Sequence, residues 1–470
     1  MVVSMQEYAV GFNSLKQECQ NVNLQLQGKI PAWLNGILVR NGPACFEGGN
    51  QSLQHWFDGF AMLHRFYFSN GDIDYSNKFI ASQAYLQAMQ KQKLVFKEFA
   101  TNPPQSFFKR LMNLFSPTLT DNTSVNVARF DHHYFAMTET VKQILFDPMT
   151  LETKGYCHYD DKIAGQVTTA HPHFDYIEQA LYNFNVEIGP KCCYHIYRLV
   201  TGKSKRELVC SIRVDKPAYL HSFAMTSRYI IIVEPPFLLN KTALLLGKKP
   251  FIENYDWQPQ RGSRFLVIDK QQKQLVAEII SEPFFLFHHI NAYEFNGKEI
   301  IIDLPIFNDS SIIQALYLER VKKNNLPLPQ SMRFRVDLSR QQVQRETLFD
   351  IPLEFPRLNY HRFNGVPYRY FYAVGVQPPA TFLQELLKVD VQTGLTKKWR
   401  EEHCYPGEPV FVAHPEATTE DEGVVLVVVL NAKLNHSFLL VLDADSFQEL
   451  ARATIPHIIP FGFHGQFWNV

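Results

Sequence analysis

The sequence predicts an all-β protein, a seven-bladed β-propeller with helical and loop insertions capping one face. From about Gly36 onward, short runs of β-branched and aromatic residues alternate with Gly, Pro, Asn and Asp, the pattern of strands joined by turns. One hairpin unit recurs seven times along the chain. Hydrophobic residues make up 46% of the composition, which is enough to bury both faces of the predicted sheets.

Each copy of the hairpin unit is a strand that ends at a polar turn, a short link and a return strand. Asp, Asn and Gly suit such turns because they tolerate tight backbone bends. The turn positions are Asn70, Asp147, Thr201, Asp269, Asp337, Asp390 and Asp443, and successive turns lie 77, 54, 68, 68, 53 and 53 residues apart. A small antiparallel sheet cannot bury its faces alone, so the recurrence favours seven blades of a single domain over residues 1–470. An all-β chain with unrelated hairpins is the alternative.

The longest interval between turns contains two helical patterns, at 83–99 and 106–115, which predict the insertions. The segments 107–115 and 237–249 combine large apolar side chains with Lys and Arg, as do segments that dock on membrane surfaces. A helix that faces the core is the alternative for each segment.

Charge and cysteine usage exclude several classes of protein. Lys+Arg and Asp+Glu both number 46, so net charge gives no basis for nucleic-acid binding. The seven cysteines form no CxxC pair, which favours a reducing compartment and no structural zinc. The start of the chain has no signal-peptide pattern, and the longest apolar run, 423–430, is too short to cross a bilayer. We expect a cytoplasmic protein that docks peripherally on membranes.

Four histidines lie in apolar stretches at nearly one phase of the repeat. They follow the preceding turn by 24, 20, 19 and 21 residues and are His171, His221, His288 and His464. A single histidine in such a setting is usually a hydrogen-bonded core residue. Four at equivalent places, if those places begin the innermost strands, point their imidazoles at the propeller axis. His361 has a similar phase but a polar setting, which predicts a surface position.

Four neutral imidazoles suit iron, copper, nickel or zinc. An octahedral Fe(II) held by four nitrogens keeps two positions open, where dioxygen and a substrate can meet. A metal-bound imidazole usually donates its other N–H to an acceptor, so carboxylates are expected around the cluster. The candidates are Glu139, Glu408 and Glu449, for each of which an exposed strand carboxylate is the alternative.

These stretches, together with residues 40–43 (RNGP), 55–61 (HWFDGFA), 355–360 (FPRLNY) and 407–412 (GEPVFV), resemble the carotenoid cleavage oxygenase family. The resemblance runs from about residue 28 to 467, and the motifs are most similar to its animal branch, the β-carotene oxygenases and the retinoid isomerohydrolase. It implies a seven-bladed propeller with Fe(II) on its axis. The residues that match the family's ligands and outer glutamates are His171, His221, His288 and His464, and Glu139, Glu408 and Glu449.

The resemblance implies a dioxygenase that uses molecular oxygen to cleave a C=C bond of a carotenoid or apocarotenoid to aldehydes, with central (15,15′) cleavage to retinal expected. The 38 phenylalanines could line an apolar tunnel for such a polyene. Residues 100–105 (ATNPPQ) depart from the animal pattern where the isomerohydrolase steers its substrate, which weighs against isomerase activity. An iron-dependent retinoid isomerohydrolase and a metal-free interaction propeller are the alternatives.

Overall fold

The computed structural model describes residues 6–103, 119–323, 326–377 and 382–469. Within these ranges seven antiparallel sheets follow one another in a ring and form a seven-bladed β-propeller, as predicted. Two two-stranded ribbons lie outside the blades: Glu47–Gly48 with Gln51–Ser52, and Phe237–Leu239 with Tyr255–Trp257.

Each blade runs from an outer strand at the rim to an inner strand near the axis, and its strands follow in that order. Blades 1 and 2 comprise Cys19–Asn23, Asp72–Phe79, Phe60–Ser69, Gly36–Cys45 and Gly465–Trp468, and then Thr153–Tyr156, Ile144–Phe146, His133–Met137 and Asn126–Phe130. Blades 3 and 4 comprise Glu207–Val214, Cys192–Val200, Ala180–Glu187, Val167–Thr168 and His173–Asp175, and then Gln274–Ser281, Ser263–Asp269, Tyr229–Glu234 and Ala224–Met225. Blades 5 and 6 comprise Gln342–Phe349, Gln330–Asp337, Glu299–Ile306 and Asn291–Phe295, and then Thr396–Trp399, Glu385–Asp390, Tyr370–Gly375 and Leu353–Arg357. Blade 7 comprises Gln25–Gly28, Glu449–Thr454, His436–Asp443, Gly423–Asn431, Cys404–Pro406 and Val410–Ala413.

Strands from the two ends of the chain close the ring. Gly465–Trp468 pairs with Gly36–Cys45 and completes blade 1 at the axis. Gln25–Gly28 pairs with Glu449–Thr454 and completes blade 7 at the rim. Each end of the chain therefore supplies a strand to a blade built mainly by the other end, which holds the first and last blades together.

Each predicted turn joins two adjacent strands on the outer side of its blade: the two outermost strands in blades 2 to 6, and the second and third strands from the rim in blades 1 and 7. Asp443 shows how the side chain forms the turn, since its Oδ1 accepts the backbone N–H of Ser446 at 2.7 Å. Asp269 accepts those of Gln271 and Gln272 at 2.9 and 2.8 Å. Such Asx turns explain why Asp recurs at these positions.

The middle strands are buried on both faces because the blades pack face to face around the ring. Ile300, Ile301 and Ile302 are consecutive, so their side chains alternate between faces, yet none is more than 1% exposed. Phe265 and Phe334, from neighbouring blades, bring their ring centroids within 5.3 Å. Continuous apolar runs, rather than alternating ones, follow from this packing.

Helical segments occur in the insertions between strands. The described α-helices are Gln83–Lys91, Lys241–Leu246, Ser311–Ala315, Leu318–Val321 and Tyr360–Phe363, and the 3-10 helices are Glu7–Phe12, Trp56–Asp58, Ile252–Asn254 and Pro259–Arg261. Several of them contribute to one apolar cluster that includes Phe12, Trp56, Ile252 and Ile313. Over the described residues, no helix has the length and apolar character that crossing a bilayer requires.

The helix predicted over 83–99 is shorter than expected. Its first turn is capped by Ser82, whose Oγ accepts the N–H of Tyr85. It ends at Lys91 because Gln92 adopts the left-handed conformation, with φ of 49°, and its N–H bonds the carbonyl of Ala88. The helix predicted at 106–115 lies outside the described residues.

Candidate metal centre

Each of the four predicted histidines lies at the start of the innermost part of a blade. His171 stands between the two short inner strands of blade 3, His221 precedes Ala224–Met225 of blade 4, and His288 precedes Asn291–Phe295 of blade 5. His464 directly precedes Gly465–Trp468 of blade 1. The common phase in the sequence therefore brings residues that are far apart in the chain to one point, where one ring nitrogen of each lies within 4.8 Å of the others.

The inner nitrogens of the cluster face one another. Nε2 of His171 lies 3.1 Å from Nε2 of His221, and Nε2 of His288 lies 3.3 Å from Nε2 of His464. Burial and the neighbouring imidazoles lower the pKa of His464 to about 3 and hold the pKa of His171 well below its ordinary value. Rings in this neutral state are the form that binds a metal.

Three of the rings use their outer nitrogen, Nδ1, as a donor to a carboxylate. The distances are 2.7 Å from His221 to Glu139, 2.6 Å from His288 to Glu354 and 2.7 Å from His464 to Glu408. Because Nδ1 carries the proton, Nε2 of each of these rings presents a lone pair to the cluster. Two lone pairs that face each other at 3.3 Å repel unless a cation lies between them, so the donor set fits a metal ion.

The three carboxylates have different surroundings. Tyr219 donates its hydroxyl to both oxygens of Glu139, at 2.8 and 3.1 Å. Arg40 and Arg357 donate to Glu408 at 2.7 and 3.2 Å. Burial alone would raise the pKa of Glu408, but Arg357, His464 and Arg40 outweigh it and hold this pKa well below its usual range.

Of the three carboxylates, Glu354 has the fewest hydrogen-bond and charge partners to offset its burial. Its Oε2 accepts the N–H of His288 and, at 3.1 Å, the backbone N–H of Phe355. Its Oε1 is buried and has no hydrogen-bond partner among the described residues. Phe355 itself adopts the left-handed conformation, with φ of 55°, which is uncommon for a bulky residue and coincides with a break in the strand register beside this pair.

The structure contradicts the assignment of Glu449 as an outer partner. Its oxygens accept from Nε and Nη2 of Arg452 at 2.6 and 2.8 Å, in the second strand from the rim of blade 7. The phase explains the error, because Glu449 follows the turn at Asp443 by only 6 residues. A residue only 6 positions after the turn still lies in an outer strand, far from the axis.

Glu354 holds the place that the sequence patterns assigned to Glu449, and the phase rule would have found it. It follows Asp337 by 17 residues, as Glu408 follows Asp390 by 18, close to the intervals of the histidines. Both glutamates lie at the inner edges of their blades, 6 and 7. No comparable interval marks Glu139, which follows the strand His133–Met137 of blade 2.

Neighbouring histidines are held away from the cluster. His173 bonds the hydroxyl of Tyr360 and the carbonyl of Phe223, each at 2.9 Å, and Nδ1 of His289 lies 2.8 Å from Oγ of Ser222. The geometry thus agrees with the choice of the first histidine in each pair. His361 is exposed, as expected.

Two cavities of different character meet at the cluster, one apolar and one mixed. The apolar cavity, of about 750 Å³, is lined by His221, His288 and His464 together with aromatic and aliphatic side chains that include Phe57, Phe307, Phe382 and Phe463. The mixed cavity, of about 1200 Å³, is lined by His171, His288 and His464 together with polar side chains such as Asn126, Arg357 and Gln466 and apolar ones such as Phe174 and Leu181. A ligand at the cluster is therefore reached through apolar surface on one side and through mixed polar and apolar surface on the other.

The motif at 55–61 builds a wall of the apolar cavity. Nε2 of His55 lies 3.0 Å from the carbonyl of Ile313, and Trp56 donates its indole N–H to the carbonyl of Phe461 at 2.8 Å. Asp58 accepts the N–H of Ala100 at 2.9 Å, which ties the divergent 100–105 segment to the motif through its described part, 100–103. These bonds fix Phe57, whose ring centroid lies 6.3 Å from that of His221.

Comparison with known proteins identifies the family of this chain. The family model for the retinal pigment epithelial membrane protein matches residues 12–469. A mitochondrial carotenoid-cleaving dioxygenase of Macaca fascicularis is 35% identical, covering 97% of this chain and 93% of the relative. A β,β-carotene 15,15′-dioxygenase of Gallus gallus is 33% identical, covering 97% of each chain. A cobalt-substituted apocarotenoid oxygenase of Synechocystis superposes with a TM-score of 0.90 at 26% identity over 99% of each chain.

The match to the family model covers nearly the whole chain, and the relatives exceed 30% identity over almost their full lengths. The chain therefore belongs to the retinal pigment epithelial membrane protein family, the family of the carotenoid cleavage oxygenases.

Proposed function

We propose that the protein is an Fe(II)-dependent dioxygenase that cleaves a C=C bond of a carotenoid or apocarotenoid into two aldehydes, with central (15,15′) cleavage to retinal as the expected position. The observation that carries the proposal is the four-imidazole cluster exposed at the wall of a cavity with an otherwise apolar lining. The dioxygenase names of the relatives support the reaction class.

The metal would be held by His171, His221, His288 and His464 through their inner nitrogens. Four imidazoles without a thiolate suit a first-row metal such as iron, and they leave an octahedral ion two exchangeable positions. A bound Fe(II) supplies the electrons that allow dioxygen to react with a carbon–carbon double bond. The outer glutamates hold three of these rings, those of His221, His288 and His464, in the tautomer that keeps the inner nitrogens available.

The substrate class follows from the lining of the apolar cavity. A polyene offers no hydrogen-bonding group at its reacting double bond, so it binds through buried apolar area, at about 25 cal/mol per Å². Phe57, Phe355 and Phe463 surround the histidines and would orient the chain of double bonds beside them. The same rings exclude water from that side of the cluster, and their faces would stabilise positive charge that develops on the polyene.

Peripheral membrane contact is part of the proposal, because carotenoids dissolve in bilayers. In the segment 237–249, Phe237, Leu238 and Leu239 are buried, so this part follows the core-facing alternative. Leu245 and Leu246 are 64% and 62% exposed, and the exposed Lys248 and Lys249 follow them.

The adjacent Leu244 packs against the apolar cluster of residues that surrounds the apolar cavity. A membrane docked on Leu245 and Leu246 would therefore lie near the proposed entry of the substrate into that cavity. Apolar side chains flanked by cations suit the headgroup boundary of a bilayer. The second candidate segment, 107–115, lies outside the described residues.

Incubation with β-carotene under ¹⁸O₂, with exchange against water controlled, tests the reaction. We expect labelled retinal from the iron-loaded protein, none under argon, and none from a His288→Ala variant. Undiminished turnover under argon, or an alcohol isomer as the sole product from a retinyl ester, would move the assignment to an isomerohydrolase.

A further inference from the structure

A second group of metal-ligating side chains lies on blade 3, outside both cavities. Glu187 ends one strand, and Cys193 and His195 lie on the next strand of the same hairpin. Glu187 and Cys193 are direct cross-strand partners, and His195 is two residues further along on the same face. One ligating atom from each of the three lies within 4.8 Å of the others.

We propose that this group, Glu187, Cys193 and His195, binds Zn(II) as a site separate from the four-histidine cluster. Sequence spacing shows no zinc pattern because the ligands come from two strands, with the loop 188–191 between them. A thiolate, an imidazole and a carboxylate form a donor set that zinc takes with a water as fourth ligand. The two anionic ligands balance the charge of the ion.

The distances suit a tetrahedral ion after small side-chain adjustments. Zn–N and Zn–S bonds of about 2.0 and 2.3 Å imply ligand-to-ligand edges of about 3.3–3.6 Å. Nε2 of His195 already lies 2.9 Å from Oε2 of Glu187, and the widest separation in the group is below 4.8 Å. The side chains of His195 and Glu187 are 15% and 40% exposed, so an ion and its water have access from solvent.

An outer partner orients the imidazole of this group. Nδ1 of His195 lies 2.8 Å from Oγ of Ser211, its cross-strand neighbour in the following strand. When Nδ1 donates to that hydroxyl, the Nε2 lone pair faces Glu187 and the thiol, as in metal sites whose histidines are held by an outer acceptor.

Titration of the purified full-length protein with Co(II) in place of zinc isolates this site. The four-histidine cluster contains no sulfur, so a thiolate-to-cobalt absorption band reports on the blade 3 group alone. With the four-histidine cluster already loaded with Fe(II), we expect the band to saturate at one equivalent and to be bleached by Zn(II). The band should also survive in His288→Ala. Cys193→Ser should abolish it, whereas Cys210→Ser, which changes another partly buried thiol of the same blade, should leave it unchanged.

Zn(II) affinity tests the remaining ligands. Glu187→Gln and His195→Asn should each weaken it by more than tenfold, and Ser211→Ala by roughly 10-fold with the cobalt band retained. Carotenoid cleavage by the Cys193→Ser protein should match that of the unmodified protein. Absence of the band when one equivalent of cobalt is added to the Fe(II)-loaded protein, its persistence in Cys193→Ser, or unchanged Zn(II) affinity in both Glu187→Gln and His195→Asn would overturn the proposal.

Discussion

Replacing Glu354 tests the arrangement around the cluster most directly, because this residue takes the role that the sequence patterns assigned to Glu449. In Glu354→Gln the amide oxygen can still accept the N–H of His288, now held at 2.6 Å, but the negative charge is lost. We expect metal affinity to fall about tenfold, the lower end of the range for losing an outer partner. Tenfold corresponds to about 1.4 kcal/mol.

Glu354→Ala removes the acceptor altogether. The buried N–H of His288 then has no partner, which costs about 1–3 kcal/mol of stability in the metal-free protein. Metal affinity should fall by roughly 100-fold, since neither the ring orientation nor the tautomer is held. Competition with a chelator of known affinity measures both variants, and denaturant unfolding of metal-free protein measures the stability.

Glu449→Gln is the matched control. The side chain of Glu449 is 31% exposed and pairs with Arg452, which keeps its second partner Glu401 at 2.7 Å. The substitution should therefore lower the free energy of unfolding by at most about 1 kcal/mol and leave the metal content unchanged. If Glu449→Gln loses iron while Glu354→Gln retains it, the reasoning from the geometry is wrong.

Three further predictions concern other parts of the molecule. His288→Ala should lose most iron and nearly all turnover, while His289→Ala keeps both. Metal analysis showing the reverse would mean that His289, and not His288, binds the iron. Burial, with Asp58 and Asp121 nearby, raises the pKa of Glu98 to about 8 from 4.5. Between these two pH values the carboxyl group is therefore protonated in the folded state and ionised in the unfolded state. The contribution of Glu98 to the free energy of unfolding should therefore fall by about 1.4 kcal/mol per pH unit as pH rises from 4.5 to 8. Denaturant melts at pH 5 and 8 should show that the stability of Glu98→Gln relative to the unchanged protein rises by this amount per pH unit. Leu245→Asp with Leu246→Asp should weaken liposome binding and spare cleavage of detergent-dispersed substrate, and undiminished liposome binding would contradict membrane docking there.

The sequence determined the fold and the four inner histidines because both depend on a period. The corresponding turn of every blade favours Asp, Asn or Gly, as at Asp269 and Asp443, so the number of blades can be counted along the chain. A residue about 20 positions after that turn lies at the inner edge of a blade, whichever blade of the ring it belongs to. The alignment of His221 and His288 in phase thus predicted their meeting at the axis.

Only the tertiary structure decided which carboxylates meet those histidines and what surrounds them. The distance from the preceding turn, 17 residues for Glu354 and 6 for Glu449, separates an inner-edge carboxylate from one in an outer strand, but only the closed ring shows that Glu354 meets His288. Glu139 of blade 2 reaches His221 of blade 4 across an intervening blade, a contact that no local pattern encodes. Such pairs depend on the curvature of the closed ring, which is fixed by packing among residues hundreds of positions apart.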